Sequence, residues 1–234
     1  MMSPRLSPLR VATGLALAAW AAVFWFLLLS GRTSLYLSSR TAWVVPTGAI
    51  VLTLAAAGRL LTARGPGQER LPTRMSWALG FVVLPAVIVL ALPPTALGSY
   101  AASRRSLSAG VASGPALEAG DRVTLAAVAA GTWSEEARRA LIDRAGTSVT
   151  FEGIVTRRAS SPADEFVLTR FIVSCCVADA LSVQVRVVGA PPGRFEEDQW
   201  VRVSGTFYPV GREVVVDAAS VRAIPQPEEP YLNV

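Results

Sequence analysis

Three stretches without a charged residue most constrain what this chain can fold into. They are "VATGLALAAWAAVFWFLLLS" (11–30), "AWVVPTGAIVLTLAAAG" (42–58) and "SWALGFVVLPAVIVLAL" (76–92). A bilayer's hydrocarbon core, about 30 Å thick, is crossed by about 20 helical residues. The first stretch has that length, and Arg40 and Arg59 flank the second, where their side chains can snorkel outward. Three transmembrane helices within residues 1–98 are therefore predicted, in contact with membrane lipid. Pro85 predicts a kink in the third helix and Pro93-Pro94 its end. Trp43 and Trp77 lie near span ends, where an amphipathic ring favours the interface. The first stretch is long for a cleaved signal, and neither an A-x-A site nor a lipobox cysteine follows it, so an uncleaved anchor is expected.

Charge divides the chain at the same place. Residues 1–120 hold ten arginines against Glu69 and Glu118, a balance of +8, whereas 121–234 balance at −3. A basic, apolar front and a mildly acidic back read as an anchor followed by a soluble domain. With the N-terminus inside, Arg5, Arg10, Arg59, Arg64, Arg70 and Arg74 face the cytoplasm, against Arg32, Arg40, Arg104 and Arg105 outside. The positive-inside rule then places the C-terminal domain outside the cytoplasm. Between them, 99–120 is rich in Ala, Ser and Gly without periodicity and reads as a flexible linker.

Two absences narrow the function. The chain has neither lysine nor histidine. Schiff-base chemistry, a phosphate-loop lysine, the usual general base and the commonest metal ligand are all missing. No enzyme is expected.

In 121–234, "TWSEEARRALIDRAG" (132–146) predicts one helix, capped by Thr132 with Glu135 completing a capping box and ended by Gly146. Strand patterns follow at 147–158, 165–176, 181–189, 199–211 and 212–224, the first with a phase switch past Gly153 that a bulge would allow. Five strands in about 80 residues predict a small Greek-key barrel of the OB type, with a different barrel or a small sandwich as the alternative. Such barrels often bind single-stranded nucleic acid through a positive groove and stacked aromatics. This acidic domain lacks those cations, so nucleic acid is not an expected partner.

Both cysteines stand together in "FVLTRFIVSCCVADA" (166–180). Three readings are open. They can fill the end of a buried strand. They can form a vicinal disulfide, which needs Cβ atoms within about 4 Å and a distorted peptide. Or, with Asp179 in the following turn, they can supply thiolates to a soft ion such as zinc, whose closed sites want four ligands. This chain would then need a partner to complete the shell.

With "FEGIV" (151–155), this stretch resembles a bacterial family of membrane proteins labelled as two-component permease subunits. These pair N-terminal spans with a C-terminal domain of unknown function. The Arg-Phe, the Cys-Cys and the Ala-Asp-Ala are the distinctive part, and the resemblance points to Arg170, Cys175, Cys176 and Asp179. Family members place a proline or glycine soon after Ala-Asp-Ala, whereas "LSVQVRV" follows here. The resemblance implies a larger integral-membrane permease as partner, with this chain as its accessory subunit in the cell membrane, and a link to metals is suspected for the family. A membrane-anchored metal or thiol sensor and a purely structural membrane protein are the alternatives. Residue by residue, Arg170 can instead be a surface ion pair with Asp179 or Glu165, and Asp179 a turn residue bonded to its own backbone.

Overall fold

The computed structural model describes residues 7–64, 72–92, 95–104, 123–158, 161–211 and 213–233. The chain divides into two units, Met1–Thr95 and Ala96–Val234.

The first unit holds α1 (Pro8–Leu29), α2 (Val44–Leu61) and α3 (Thr73–Ala91), the three helices long and apolar enough to cross a membrane. This is consistent with a membrane location. Hydrogen bonds fix α1 and α2 antiparallel: Arg59 Nε donates to Thr13 Oγ1 (3.1 Å) near one end and Trp25 Nε1 to Thr53 Oγ1 (3.1 Å) towards the other. Trp20 Nε1 donates to the Val82 carbonyl of α3 at 3.0 Å. In hydrocarbon an indole N–H without an acceptor is costly, so these bonds let tryptophan lie within a span. Helix α3 continues through Pro85. Its apolar side chains, Phe81 and Val87 among them, are largely exposed, as a lipid-facing surface requires. Arg5, Arg70 and Arg105, three of the arginines counted for orientation, lie outside the described residues.

The second unit is built on five strands: β1 (Ser148–Thr156), β2 (Phe166–Val173), β3 (Leu181–Val188), β4 (Trp200–Val210) and β5 (Glu213–Ala223). Each answers to one of the five strand patterns in the sequence. They pair in the order β1-β4-β5-β3-β2, and β1 pairs again with β2, closing the ring. All contacts are antiparallel except β3 with β5. This is the OB-type Greek-key barrel. Alternate residues point inward, so Val183, Val185, Val187, Val201, Val203 and Phe207 are fully buried in one core.

The predicted bulge lies elsewhere. From Ser148 to Ile154, β1 pairs with β4 in unbroken register, and the irregularity falls between Ser204 and Gly205, where β4 meets β5. The apparent phase switch in β1 has another cause. Past Gly153 the strand is buried on both faces, because Ile154 packs outward into a second core with Phe171, Val173, Ala180 and Tyr231. That core is covered by α4 (Ser99–Arg104) and by a last short strand, β6 (Tyr231–Asn233), parallel to β2. The Tyr231 ring meets Phe171 edge-on at 6.5 Å, and its hydroxyl accepts the Leu97 N–H.

Residues 99–104, expected as the start of a flexible linker, are therefore helical. Asp198 accepts hydrogen bonds from the Ser99 amide and hydroxyl and holds this helix down. The rest of the expected linker, 105–120, lies outside the described residues. Of the single helix expected at 132–146, the structure keeps α6 (Glu135–Ile142), and a separate helix not predicted from the sequence, α5 (Leu125–Trp133), precedes it. Ser134, not Thr132, caps the second, accepting from Ala137 N at 3.3 Å, while Thr132 Oγ1 bonds the Val128 carbonyl within α5. The run "LAAVAA" has high helix propensity and opens a helix of about two and a half turns before Ser134 interrupts.

Candidate metal centre

The residues singled out in "FVLTRFIVSCCVADA" go to two places. Strand β2 ends at Val173, three residues short of the expected end, so neither cysteine sits in the pleat. Asp179 causes the break. Its Oδ1 accepts the Ser174 N–H at 3.0 Å, and its Oδ2 accepts those of Cys175 at 2.8 Å and Cys176 at 3.3 Å. Three consecutive amides that could extend a ladder are turned onto one carboxylate. The chain then passes through a 3-10 turn (Val177–Asp179) into β3. Asp179 is thus the turn residue that bonds its own backbone, and the same bonds put its carboxylate beside both thiols.

The two Sγ atoms are 3.7 Å apart and not joined by a disulfide. Cys175 is exposed and Cys176 half-buried, so the pair is not strand-end packing. One ligand atom from each of Cys175, Cys176 and Asp179 lies within 4.8 Å of the others. With Zn–S bonds of about 2.3 Å, two sulfurs on a tetrahedral edge stand about 3.8 Å apart. The thiol spacing fits that edge. A Cys-Cys-Asp group could therefore hold a soft or borderline cation with one position left open, as in sites that exchange a ligand rather than in closed structural ones. The Ser174, Cys175 and Cys176 amides hold the Asp179 carboxylate in place, as hydrogen bonds to a metal-ligating carboxylate usually do.

Without an ion, the surroundings keep the Cys175 thiol protonated. The Cys175 thiol is pushed up to about 11, by its hydrogen bond with Asp179 first and the Cys176 contact second, with burial and the two negative neighbours adding to it. Burial pushes the Asp179 carboxyl upward, but the Cys175 thiol and the three amides outweigh it and hold the group below its ordinary value. The thiolate, not the thiol, is the nucleophile. In a Cys176→Ser variant, where the Asp179 contact remains, alkylation of Cys175 is expected to keep rising about tenfold per pH unit well past pH 9. Adding Asp179→Asn should bring the levelling point down. A rate that levels near pH 8–9 in the first variant would contradict the contact. For stability the sign is the opposite. Asp179 is depressed in the fold, so its contribution is present above the ordinary carboxylate range and is lost as pH falls through its lowered value.

Arg170 does not join this group. Its guanidinium lies 5.6 Å from the centroid of the Trp200 ring and donates to the Glu229 carbonyl at 2.7 Å. It faces Glu152 at 3.8 Å, instead of the Asp179 or Glu165 expected from the sequence. Burial holds it below the usual arginine range, against the pull of Glu152 and Glu229. Glu152 also takes Arg202 at 2.6 Å. Reasoning from sequence missed Glu152 and Trp200 as partners. A signal existed, since Glu152 stands inside "FEGIV", the other half of the quoted pattern. The two halves meet where β1 changes partners: Glu152 faces Arg170, and Gly153 passes under the Thr169 carbonyl.

Residues 131–233 match the family model described as the DUF1980 C-terminal domain, a domain of unknown function in the C-terminal part of the chain. No curated protein matches. Among solved structures the chain is similar to one titled "Structure and Conformational Change of a Replication Protein A Heterotrimer Bound to ssDNA", at 19% identity with a TM-score of 0.23. The match covers 34% of this chain and 58% of that one.

Proposed function

We propose that this chain is a non-catalytic membrane subunit that works beside a larger integral-membrane permease. Its barrel offers a soft or borderline cation such as zinc two thiolates and a carboxylate on the loop leaving β2. The observation that carries this is the Cys175–Cys176–Asp179 group, three ligands within 4.8 Å on one exposed loop. Three ligands from one chain leave a coordination position for a partner or for the departing ion, which suits hand-over better than storage. An ion there would reverse the local preference for a neutral Cys175 thiol, because a coordinating thiol is deprotonated outright. Arg170 and Glu152 join β2 to β1. The chain spans the membrane three times, N-terminus inside, and the barrel stands outside the cytoplasm, as the arginine distribution implies.

The test compares cells carrying the native chain with cells carrying Cys176→Ser. Equal amounts of chain in the membrane with altered cell zinc are expected, and an impermeant thiol reagent should label the native Cys175 on intact cells. Unchanged zinc at equal membrane level would remove the transport role, and absence of labelling until the cells are opened would reverse the topology.

One observation favours a second reading, a membrane-anchored metal or thiol sensor: the whole ligand group lies within one chain. Under that reading cell zinc is unchanged by Cys176→Ser, although the purified full chain binds the ion.

A further inference from the structure

A second site has neither thiol in its lining. The α5–α6 pair leaves a cleft of about 270 Å³ against β2, β3 and the β4–β5 turn. Its floor is apolar: Leu141, Val183 and Val214 are buried, with Val167 beside them. Its rim carries three arginines, Arg138, Arg158 and Arg186, against one carboxylate, Glu213. Glu135 and Glu165 reach Arg138 and Arg186 from outside the lining, so the three guanidiniums face three carboxylates, held at unequal distances.

The rim's arginines are unequally satisfied. Arg138 is tied to both oxygens of Glu135, at 2.7 and 3.0 Å. Arg158 and Arg186 instead share Glu213, at 3.4 and 3.7 Å, and Arg186 reaches Glu165 only at 3.8 Å. Charge-assisted N–H···O bonds are about 2.7–2.9 Å long, so these two forks are loosely held. The buried Nε of Arg186 has no hydrogen-bond partner among the described residues. Gln184, from the same strand, stands 3.4 Å from Arg158 and adds an amide to the rim.

We propose that this cleft binds a small carboxylate with an apolar body. A planar carboxylate matches the guanidinium fork, and the apolar floor takes the rest of the molecule, the usual division of labour in a ligand pocket. The charge is limited to one: Glu213 already lies between the forks and Glu135 and Glu165 flank them, so a doubly charged phosphate would overfill the site. This reading is independent of the metal proposal and stands or falls separately.

The test uses the full chain in lipid nanodiscs, with 4-(trifluoromethyl)benzoate as probe, its fluorine signal as readout, and empty nanodiscs as blank. Saturable binding of the benzoate and none of the corresponding neutral benzamide is expected. Arg186→Gln and Arg158→Gln should each weaken it about tenfold, a loss of about 1.4 kcal/mol. The Arg158 side chain is half exposed, so its variant tests the site even if Arg186→Gln fails to fold. Arg194→Gln, outside the lining, should leave binding unchanged. Equal uptake of benzoate and benzamide, uptake no greater than by empty discs, or full affinity in Arg158→Gln would overturn the proposal.

Discussion

Replacing Gly205 by alanine is expected to cost the barrel about 3 kcal/mol, the upper end of what an overpacked site usually costs. A Cβ there would run into the Asp217 carbonyl oxygen and lie 2.9 Å from its carbon. Both are backbone atoms of β5, so no side chain can rotate away. The residue sits at the irregularity where β4 slips one position against β5, and the two backbones come too close there for any side chain. Relief requires parting the β4–β5 ladder, the longest in the barrel. For a domain of this size the loss corresponds to a fall in Tm of roughly 10–20 °C. Thermal unfolding of the full chain, followed by the near-ultraviolet signal of its buried aromatics, measures it. An unchanged transition would mean that the strands do not cross so closely at this point.

The second large effect is on metal affinity. If Cys175, Cys176 and Asp179 hold the ion, the Cys175→Ser/Cys176→Ser double variant should lose at least about 100-fold in zinc affinity, since hydroxyls are far poorer ligands for such ions than thiolates. Titration of the full chain against a chromophoric chelator reads this directly, and cadmium should give a thiolate charge-transfer band in the native chain alone. Binding should also release protons and strengthen with pH, because the Cys175 thiol starts near 11 and must be deprotonated. Asp179→Asn should weaken binding by a smaller factor, for it removes a charge yet can keep some of the amide contacts. A native chain that takes up no zinc and gives no cadmium band would end the metal reading, leaving the loop as a turn held by its own aspartate.

Particular residues show why part of this was legible in advance. Val183, Val185 and Val187 alternate with polar neighbours, and burial in the barrel wall follows that alternation, because a strand's side chains repeat every two residues whatever surrounds them. Asp179 was legible as a turn former, and its nearness to the thiols follows from a spacing of four and three residues. Arg170 was not. Its partner Glu152 is 18 positions away, and only the closure of β1 onto β2 brings them together. The early end of β2 was hidden for a related reason: "FIVSCC" has every local mark of a strand, and the competing acceptor for its amides comes from beyond it. The bulge was assigned to Gly153 since a glycine in a strand signals either a bulge or a close crossing, and local pattern does not separate the two. Here Gly153 marks the crossing, with Thr169 O only 2.6 Å from where a Cβ would stand, and Gly205 marks the bulge.

By itself, the sequence determined what depends on near neighbours and on solvent: three helices of membrane-crossing length, an acidic domain of five strands, no histidine or lysine chemistry, and a thiol pair with a carboxylate in reach. Tertiary structure alone decided which strands close the ring, that Arg170 braces β1 instead of joining the thiols, and that the helix pair leaves an arginine-rimmed cleft. The division is physical, since periodicity and hydrophobicity act over a few residues, whereas contacts across a closed barrel are set by which backbones can approach one another.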